Sequence, residues 1–295
     1  MEENHPVHFT KELNNFKEKI EELKASEKNR LVLIIMANTL DPALSTGCAK
    51  DAKAVRNTFK KICSETDYNF CCIEISDINY SRENLLKAID SIGLYNDVTV
   101  FYYSGHGFSY AKDSKSKYPQ IDMRRHNSRA DFSKIDFIEK HTENLAVVLN
   151  LMRFKGGRIN IALADCCNTT IPFFRKKDGI KEMNVVDGIM PPVSKVLTKK
   201  LFTDFNNAVS ILVSSSVQGQ PAISDSAIGS IFTYCFTETI KTVLAKELKT
   251  NNYFPWLKVL KATSAKAFND SKNYDIGNGI AGEQKAVFEV FIDKE

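Results

Sequence analysis

The chain has 295 residues, 43% of them hydrophobic, and a formal net charge of +4 at pH 7. That supplies a full core for one large domain or two small ones. It also excludes the dense basic surface that nucleic acid requires, and no apolar run is long enough to span a bilayer. Seven cysteines, among them the neighbours Cys71-Cys72 and Cys166-Cys167, show no C-x-x-C metal spacing. With a polar start, Met1-Glu-Glu-Asn-His5, that lacks the apolar core of a secretion signal, they imply a reducing cytoplasm and free thiols.

Residues 1–29 are highly charged and read as a helical segment preceding a domain over 30–295. Leu13, Phe16, Ile20 and Leu23 recur at helical spacing, which predicts an amphipathic helix over Lys11–Lys24. It is read as lying on the domain; a pro-segment, or a helix that binds a regulatory partner, is the alternative. Leu31–Ala37 is a continuous apolar run, as in a central parallel strand. The turn-rich loop Asn38–Gly47 leads into a helix opened by Cys48-Ala-Lys-Asp51-Ala52 and running to about Ile62. Phe70–Ile75 is the second strand. Ser81 caps the next helix, with Leu85, Leu86 and Ile89 as its apolar face.

Val98–Tyr103 is a run of β-branched and aromatic residues and reads as a buried strand. It stops at Ser104-Gly-His106-Gly107, a sharp turn at the strand's carboxyl end. Residues 109–133 are polar and too long for a plain connection, so they are expected to form a surface excursion or lid. Phe137–Phe154 reads as one helix with Leu145, Val148 and Leu149 inward. Asn160–Ala164 is another buried strand, and it stops at Asp165-Cys166-Cys167-Asn168. Thr169–Asn206 is read as a long irregular insertion that carries the basic tract Arg175-Lys176-Lys177 and Lys181. Ala208–Val213 is a strand followed by the loop Ser214–Pro221. Helices are expected over Gly229–Leu248 and Trp256–Phe268, and an edge strand over Ala286–Ile292.

Strand and helix alternate without an internal repeat. That pattern implies an α/β fold with one mostly parallel sheet and helices on both faces. Right-handed crossovers place every strand's carboxyl end on one edge. That edge gathers the loops 38–51, 104–107, 165–168 and 214–220. A histidine and a cysteine there can act as base and nucleophile. An imidazole lowers the pKa of a neighbouring thiol and later protonates the leaving amine. Gly107, without a side chain, lets a backbone amide approach an oxyanion.

Tyr103-Ser-Gly-His-Gly107 followed by Ala164-Asp-Cys-Cys167 resembles the caspase-like (clan CD) cysteine peptidases, and in particular their metacaspase branch. There the histidine motif is Tyr-Ser-Gly-His-Gly and the cysteine motif Asp-x-Cys-His-Ser-Gly. Registration makes Cys167 the nucleophile and Cys166 the variable position; a nucleophile at Cys166 is the alternative. Gly47-Cys48-Ala-Lys-Asp51-Ala52 is similar to the branch's Gly-Cys-x-Asn-Asp-Ala, and Gly229-Ser-Ile-Phe-Thr233 to its Gly-x-Phe-Thr helix start. Asn168-Thr169-Thr170 departs from His-Ser-Gly.

The resemblance implies a three-layer α/β/α sandwich and an Arg/Lys-specific endopeptidase working as a dyad, His106 and Cys167, with no third orienting residue. It implies that Asp51, Asp165, Ser104 and Cys48 line the pocket for the residue before the scissile bond, where two carboxylates suit a guanidinium or an ammonium. The substrates would be proteins and peptides carrying Arg or Lys, and the basic tract 175–177, like Arg124, Arg125 and Arg129, offers sites for self-cleavage. No cofactor is required. Calcium activation, common in that branch, stays open, since the aspartates make no recognisable ligand cluster. The rival reading, suggested by Asn168-Thr169-Thr170, is an inactive caspase-like binding module.

Overall fold

The computed structural model describes residues 5–24, 29–66, 68–92, 98–109, 116–124, 135–170, 201–202, 208–225, 227–245, 255–276 and 279–292. Helix α1 spans His5–Lys24 and is followed by strand β1, Arg30–Ala37. Helix α2 is Ser45–Ser64, starting three residues before the sequence suggests, and β2 is Asn69–Ile75. Helix α3 is Arg82–Asp90, and the Ser81 side chain caps it by accepting from the Asn84 amide. The chain continues through β3 (Val98–Ser104), β4 (Gly107–Ser109) and β5 (Gln120–Asp122). Next come α4 (Ile135–His141), β6 (Thr142–Asn144), α5 (Leu145–Phe154), β7 (Ile159–Asp165) and β8 (Thr169–Thr170). Strands β9 (Val209–Ser214), β10 (Ser224–Asp225) and β11 (Gly229–Ser230) lead to α6 (Ile231–Ala245), α7 (Pro255–Ser271) and β12 (Val287–Ile292).

The main sheet has the order β12-β9-β7-β3-β1-β2 and is parallel except for β12, which runs antiparallel along the β9 edge. Successive side chains of a strand point to opposite faces, and both faces are covered. Leu31, Leu33 and Ile35 of β1 join the core under α2, α6 and α7. Val32, Ile34 and Met36 join the opposite core under α1, α3 and α5. The result is the expected three-layer α/β/α arrangement. Each such buried aliphatic contributes about 1.5–3 kcal/mol of burial, which is why β1 and β3 carry no polar alternation.

Three expectations are corrected. Phe137–Phe154 is two helices, α4 and α5, split by β6, and the Asn144 side chain caps α5 by accepting from the Ala146 amide. Leu86 is only partly buried; Asn84, Leu85, Ala88 and Ile89 face the core instead. The stretches read as loops also contribute structure. Gln120–Asp122 and Thr169–Thr170 belong to a second sheet, order β6-β5-β4-β8, beside the histidine turn. Leu201 and Phe202, from the long insertion, are buried in the core, and the Leu201 carbonyl accepts from the Trp256 indole at 2.9 Å. The basic tract 175–177 and Lys181 lie outside the described residues.

Candidate active site

Strands β3 and β7 are parallel neighbours with Ser104 paired to Asp165. Neighbouring strands lie about 4.8 Å apart, so the turns holding His106 and Cys167, each two residues past a paired position, leave the sheet side by side. The Gly105 amide donates to the Asp165 carbonyl at 3.4 Å, tying the turns together. Both motif glycines are required by their surroundings. A side chain at Gly105 would meet the Tyr103 hydroxyl, and one at Gly107 would meet the Cys166 sulfur and the Cys167 carbonyl. Gly107 thus lies directly against the cysteine turn, where the oxyanion role would need it.

The backbone beneath His106 is fixed by β5 and by two buried tyrosines. The Asp122 amide donates to the His106 carbonyl at 2.9 Å, and the Tyr103 hydroxyl lies 2.6 Å from the same oxygen. The Tyr80 hydroxyl sits 2.9 Å from that of Tyr103 and donates to the Asp122 carbonyl at 2.7 Å. The imidazole itself is 35% exposed, and its Nε2 lies 2.7 Å from Oδ2 of the buried Asp41. Sequence reading passed over Asp41 as one more turn former in the loop after β1. No local pattern marks it, because its partner is 65 residues away.

The two adjacent cysteines are placed differently. Cys166 is 1% exposed, and burial pushes its thiol well above the ordinary cysteine range. Cys167 is only partly buried, and its sulfur accepts from the Ala222 amide at 3.4 Å. A buried, undissociated thiol is a poor nucleophile, so the geometry favours Cys167. The departing residue Asn168 is 1% exposed and ties three loops together. Its carbonyl and side-chain oxygens accept from the Ser109 hydroxyl at 2.6 and 2.7 Å. Its amide donates to Gln220 and its carbonyl accepts from Gly219. Its side-chain nitrogen donates to the Lys117 carbonyl at 3.0 Å and to the Ser216 carbonyl at 3.4 Å. Thr169 and Thr170 then pair with Phe108 and Ser109. The variant turn is thus an ordered seam between the histidine and cysteine sides.

Cys48, Asp51, Ser104 and Asp165 come together, each 1–4% exposed. Asp51 lies in the second turn of α2 rather than in the loop before it. It accepts from the Ser104 hydroxyl at 2.8 Å, the Ser230 hydroxyl at 2.6 Å and the Ser230 amide at 2.8 Å. Asp165 ends β7. Its Oδ2 accepts from the Thr233 amide at 2.9 Å and hydroxyl at 2.6 Å. Ser230 and Thr233 therefore aim the start of α6 at the acid pair, a role the Gly229–Thr233 segment did not reveal in sequence. Asp165 Oδ1 is buried with no hydrogen-bond partner among the described residues. The Ser215 hydroxyl, close enough to offset part of the burial, is engaged by the Cys166 backbone. Burial raises both carboxyls toward neutrality, and the mutual repulsion of the two charges raises Asp51 further. The same burial pushes the Cys48 thiol up to about 12.

Among the described residues, no three His, Cys, Asp or Glu side chains gather as a metal site. Among them, too, no helix is long and apolar enough to cross a membrane.

A parallel sheet with helices on both faces, and with a histidine turn and a cysteine turn abutting at its carboxyl edge, defines a class of α/β proteins whose sheet edge brings those two turns together. The caspase-domain family model matches residues 29–262, from just before β1 into α7. The chain belongs to the caspase-domain family of cysteine peptidases, whose substrates are proteins. No curated relative matches it.

Proposed function

We propose that the chain is an endopeptidase of metacaspase type that cleaves after Arg or Lys in the cytoplasm. Cys167 attacks the scissile carbonyl, His106 takes the thiol proton and gives it to the leaving amine, and the Gly107 amide helps to hold the oxyanion. Asp51 and Asp165, with Ser104 and Cys48, receive the basic side chain. The observation that carries the specificity is the acid pair at the strand end that leads to Cys167, with Asp165 Oδ1 a buried acceptor without a hydrogen-bond donor among the described residues. A guanidinium supplies two parallel donors to such a site. Because all four groups are covered, the basic side chain must displace what lies over them to reach the carboxylates. The closed pair, satisfied on its other oxygens by Ser230 and Thr233, equally favours a second reading in which it only anchors α6.

Fluorogenic peptides ending in Arg, Lys or Asp test the proposal. Arg and Lys substrates are expected to be cleaved, with turnover abolished in Cys167→Ala. Equal turnover by the two proteins overturns the nucleophile, and preference for Asp overturns the pocket. Intact-mass analysis during incubation, with and without calcium, tests self-processing, and cuts are expected after the basic residues 175–181. Arg124 is not expected among the cut sites, because it is held bidentately by Asp122.

A further inference from the structure

We propose that Asp41 is a positioning residue for His106. It fixes the imidazole with its proton on Nε2 and leaves Nδ1 as the nitrogen that works on the nucleophile. This rests on the reading of His106 and Cys167 as base and nucleophile, and adds to it a third group that a dyad lacks.

The geometry begins with the 2.7 Å contact between His106 Nε2 and Asp41 Oδ2. A carboxylate only accepts, so the shared hydrogen belongs to Nε2. A neutral imidazole then has its lone pair on Nδ1. The Cys167 thiol proton passes from sulfur to Nδ1, giving a thiolate and an imidazolium whose charge faces the Asp41 carboxylate. After the thiolate has attacked the carbonyl carbon, the same proton passes from Nδ1 to the departing amine. The C–N bond breaks as a thioester forms on Cys167, and water then hydrolyses that thioester and restores the thiol proton; no oxidant enters.

The second observation is that Asp41 is built in rather than passing by. It is 4% exposed. Its Oδ1 accepts from the Ala43 amide at 2.8 Å, its own amide donates to the Asn38 side chain at 3.2 Å, and its carbonyl accepts from Leu44 and Ser45 at the start of α2. The loop is fixed at both flanks. The Asn38 amide donates to the Ser104 carbonyl at 2.9 Å, on the strand that carries His106. On the other side Thr39 and Asp77 bond reciprocally. The Thr39 hydroxyl donates to the Asp77 carboxylate at 2.5 Å, and the Asp77 amide donates to the Thr39 oxygen at 2.9 Å. Asp77 has φ 49°, the one positive φ outside glycine among the described residues, a conformation Asp tolerates at modest strain. A strained residue spent on holding this loop, and a buried carboxylate aimed at a part-exposed imidazole, are what preorganisation of a base requires.

The test compares wild type with Asp41→Asn, Asp41→Ala and Asp41→Glu in the full chain. Asp41→Asn retains the acceptor for Ala43 and so keeps the loop's shape, while its amide group can turn the imidazole to the other tautomer. On an Arg-ending fluorogenic peptide, kcat is expected to fall by about a hundredfold or more in Asp41→Asn, as when the analogous carboxylate of a serine-protease triad becomes an amide, with KM little changed. Asp41→Glu is expected to recover part of it. Ring-nitrogen NMR on 15N-histidine-labelled protein, with His106 assigned from its loss in His106→Gln, is expected to show the Nε2–H tautomer in wild type and its loss in Asp41→Asn. A structural role alone would not move that signal.

If wild type cleaves peptides and Asp41→Asn matches or exceeds it, the inference is overturned; greater activity would make Asp41 a latch. If wild type cleaves nothing and Cys167 alkylates no faster with iodoacetamide than the other thiols, the peptidase reading falls instead. The tautomer measurement then still decides the role of Asp41: unchanged ring signals in Asp41→Asn would overturn it.

Discussion

At the scale of single residues, the acid pair carries the clearest pH signature. Unfolded aspartates titrate near 3.9, whereas burial raises Asp51 to about 7 and Asp165 to about 6. The folded ligand-free protein therefore binds more protons than the unfolded chain between about pH 4 and 7. Stability conferred by the protonated pair is complete below about pH 4 and is lost as pH rises through the folded values. Thermal melting across pH 4 to 8 is expected to show this loss, and Asp51→Asn is expected to flatten it; an unchanged profile would count against the shifts. An Arg side chain favours the ionised pair, so KM for Arg substrates is expected to rise as pH falls below about 6, with Asp51→Asn raising KM at pH 8 by about tenfold or more, the loss of a charge-assisted bond of about 1.5–3 kcal/mol. Cys48, Asp51, Ser104 and Asp165, which the structure brings together, were legible in sequence because each sits in a local motif. Asp41, Ser230 and Thr233 were not, since each is defined by a partner in a distant segment and belongs to a residue type common in any turn or helix start.

At the scale of elements, alternation of apolar runs and amphipathic stretches sufficed for the main sheet, including the antiparallel edge strand β12. It failed where short strands pair side-on to the sheet. Thr142–Asn144 has no periodicity of its own; it is a strand only because Gln120–Asp122 lies beside it. The same holds for Thr169–Thr170, which looked like the start of an irregular loop. The seam they form turns Asn168 from a departure into a structural requirement. Asn168→Ala removes three side-chain hydrogen bonds, the one accepted from the Ser109 hydroxyl and those donated to the Lys117 and Ser216 carbonyls, while Ser109 keeps the Asn168 carbonyl and Ser216 keeps the Ser214 hydroxyl. Each such bond contributes about 0.5–1.5 kcal/mol net. The expected result is a loss of roughly 2–4 kcal/mol in denaturant unfolding, with turnover falling as the Cys167 turn loosens. Unchanged stability would show that the seam contributes little.

At the scale of the molecule, the sheet works as a spacer with one busy edge. Its two cores carry opposite helices, while loops from four strands meet where β3 and β7 end. The position of α1 in this layout bears on the two readings of the charged leading segment. Phe9, Leu13, Phe16, Ile20 and Leu23 are all buried, and they join the core formed by β2, α3 and α5. Glu12 accepts from Asn79 across the same face. The apolar stripe is thus spent on the side of the sheet rather than offered over the carboxyl edge. A covering pro-segment, when loosened, would increase turnover. A helix that completes a core, when loosened, lowers stability first. Phe16, 3% exposed, is the variant to make, since Phe→Ala in a core costs about 3–5 kcal/mol. Phe16→Ala is expected to lower the melting temperature by several degrees and to leave kcat/KM on an Arg peptide unchanged at temperatures where the protein stays folded. A rise in kcat/KM under those conditions would show that α1 restrains the site, and that its burial on the β2 face serves regulation as well as stability.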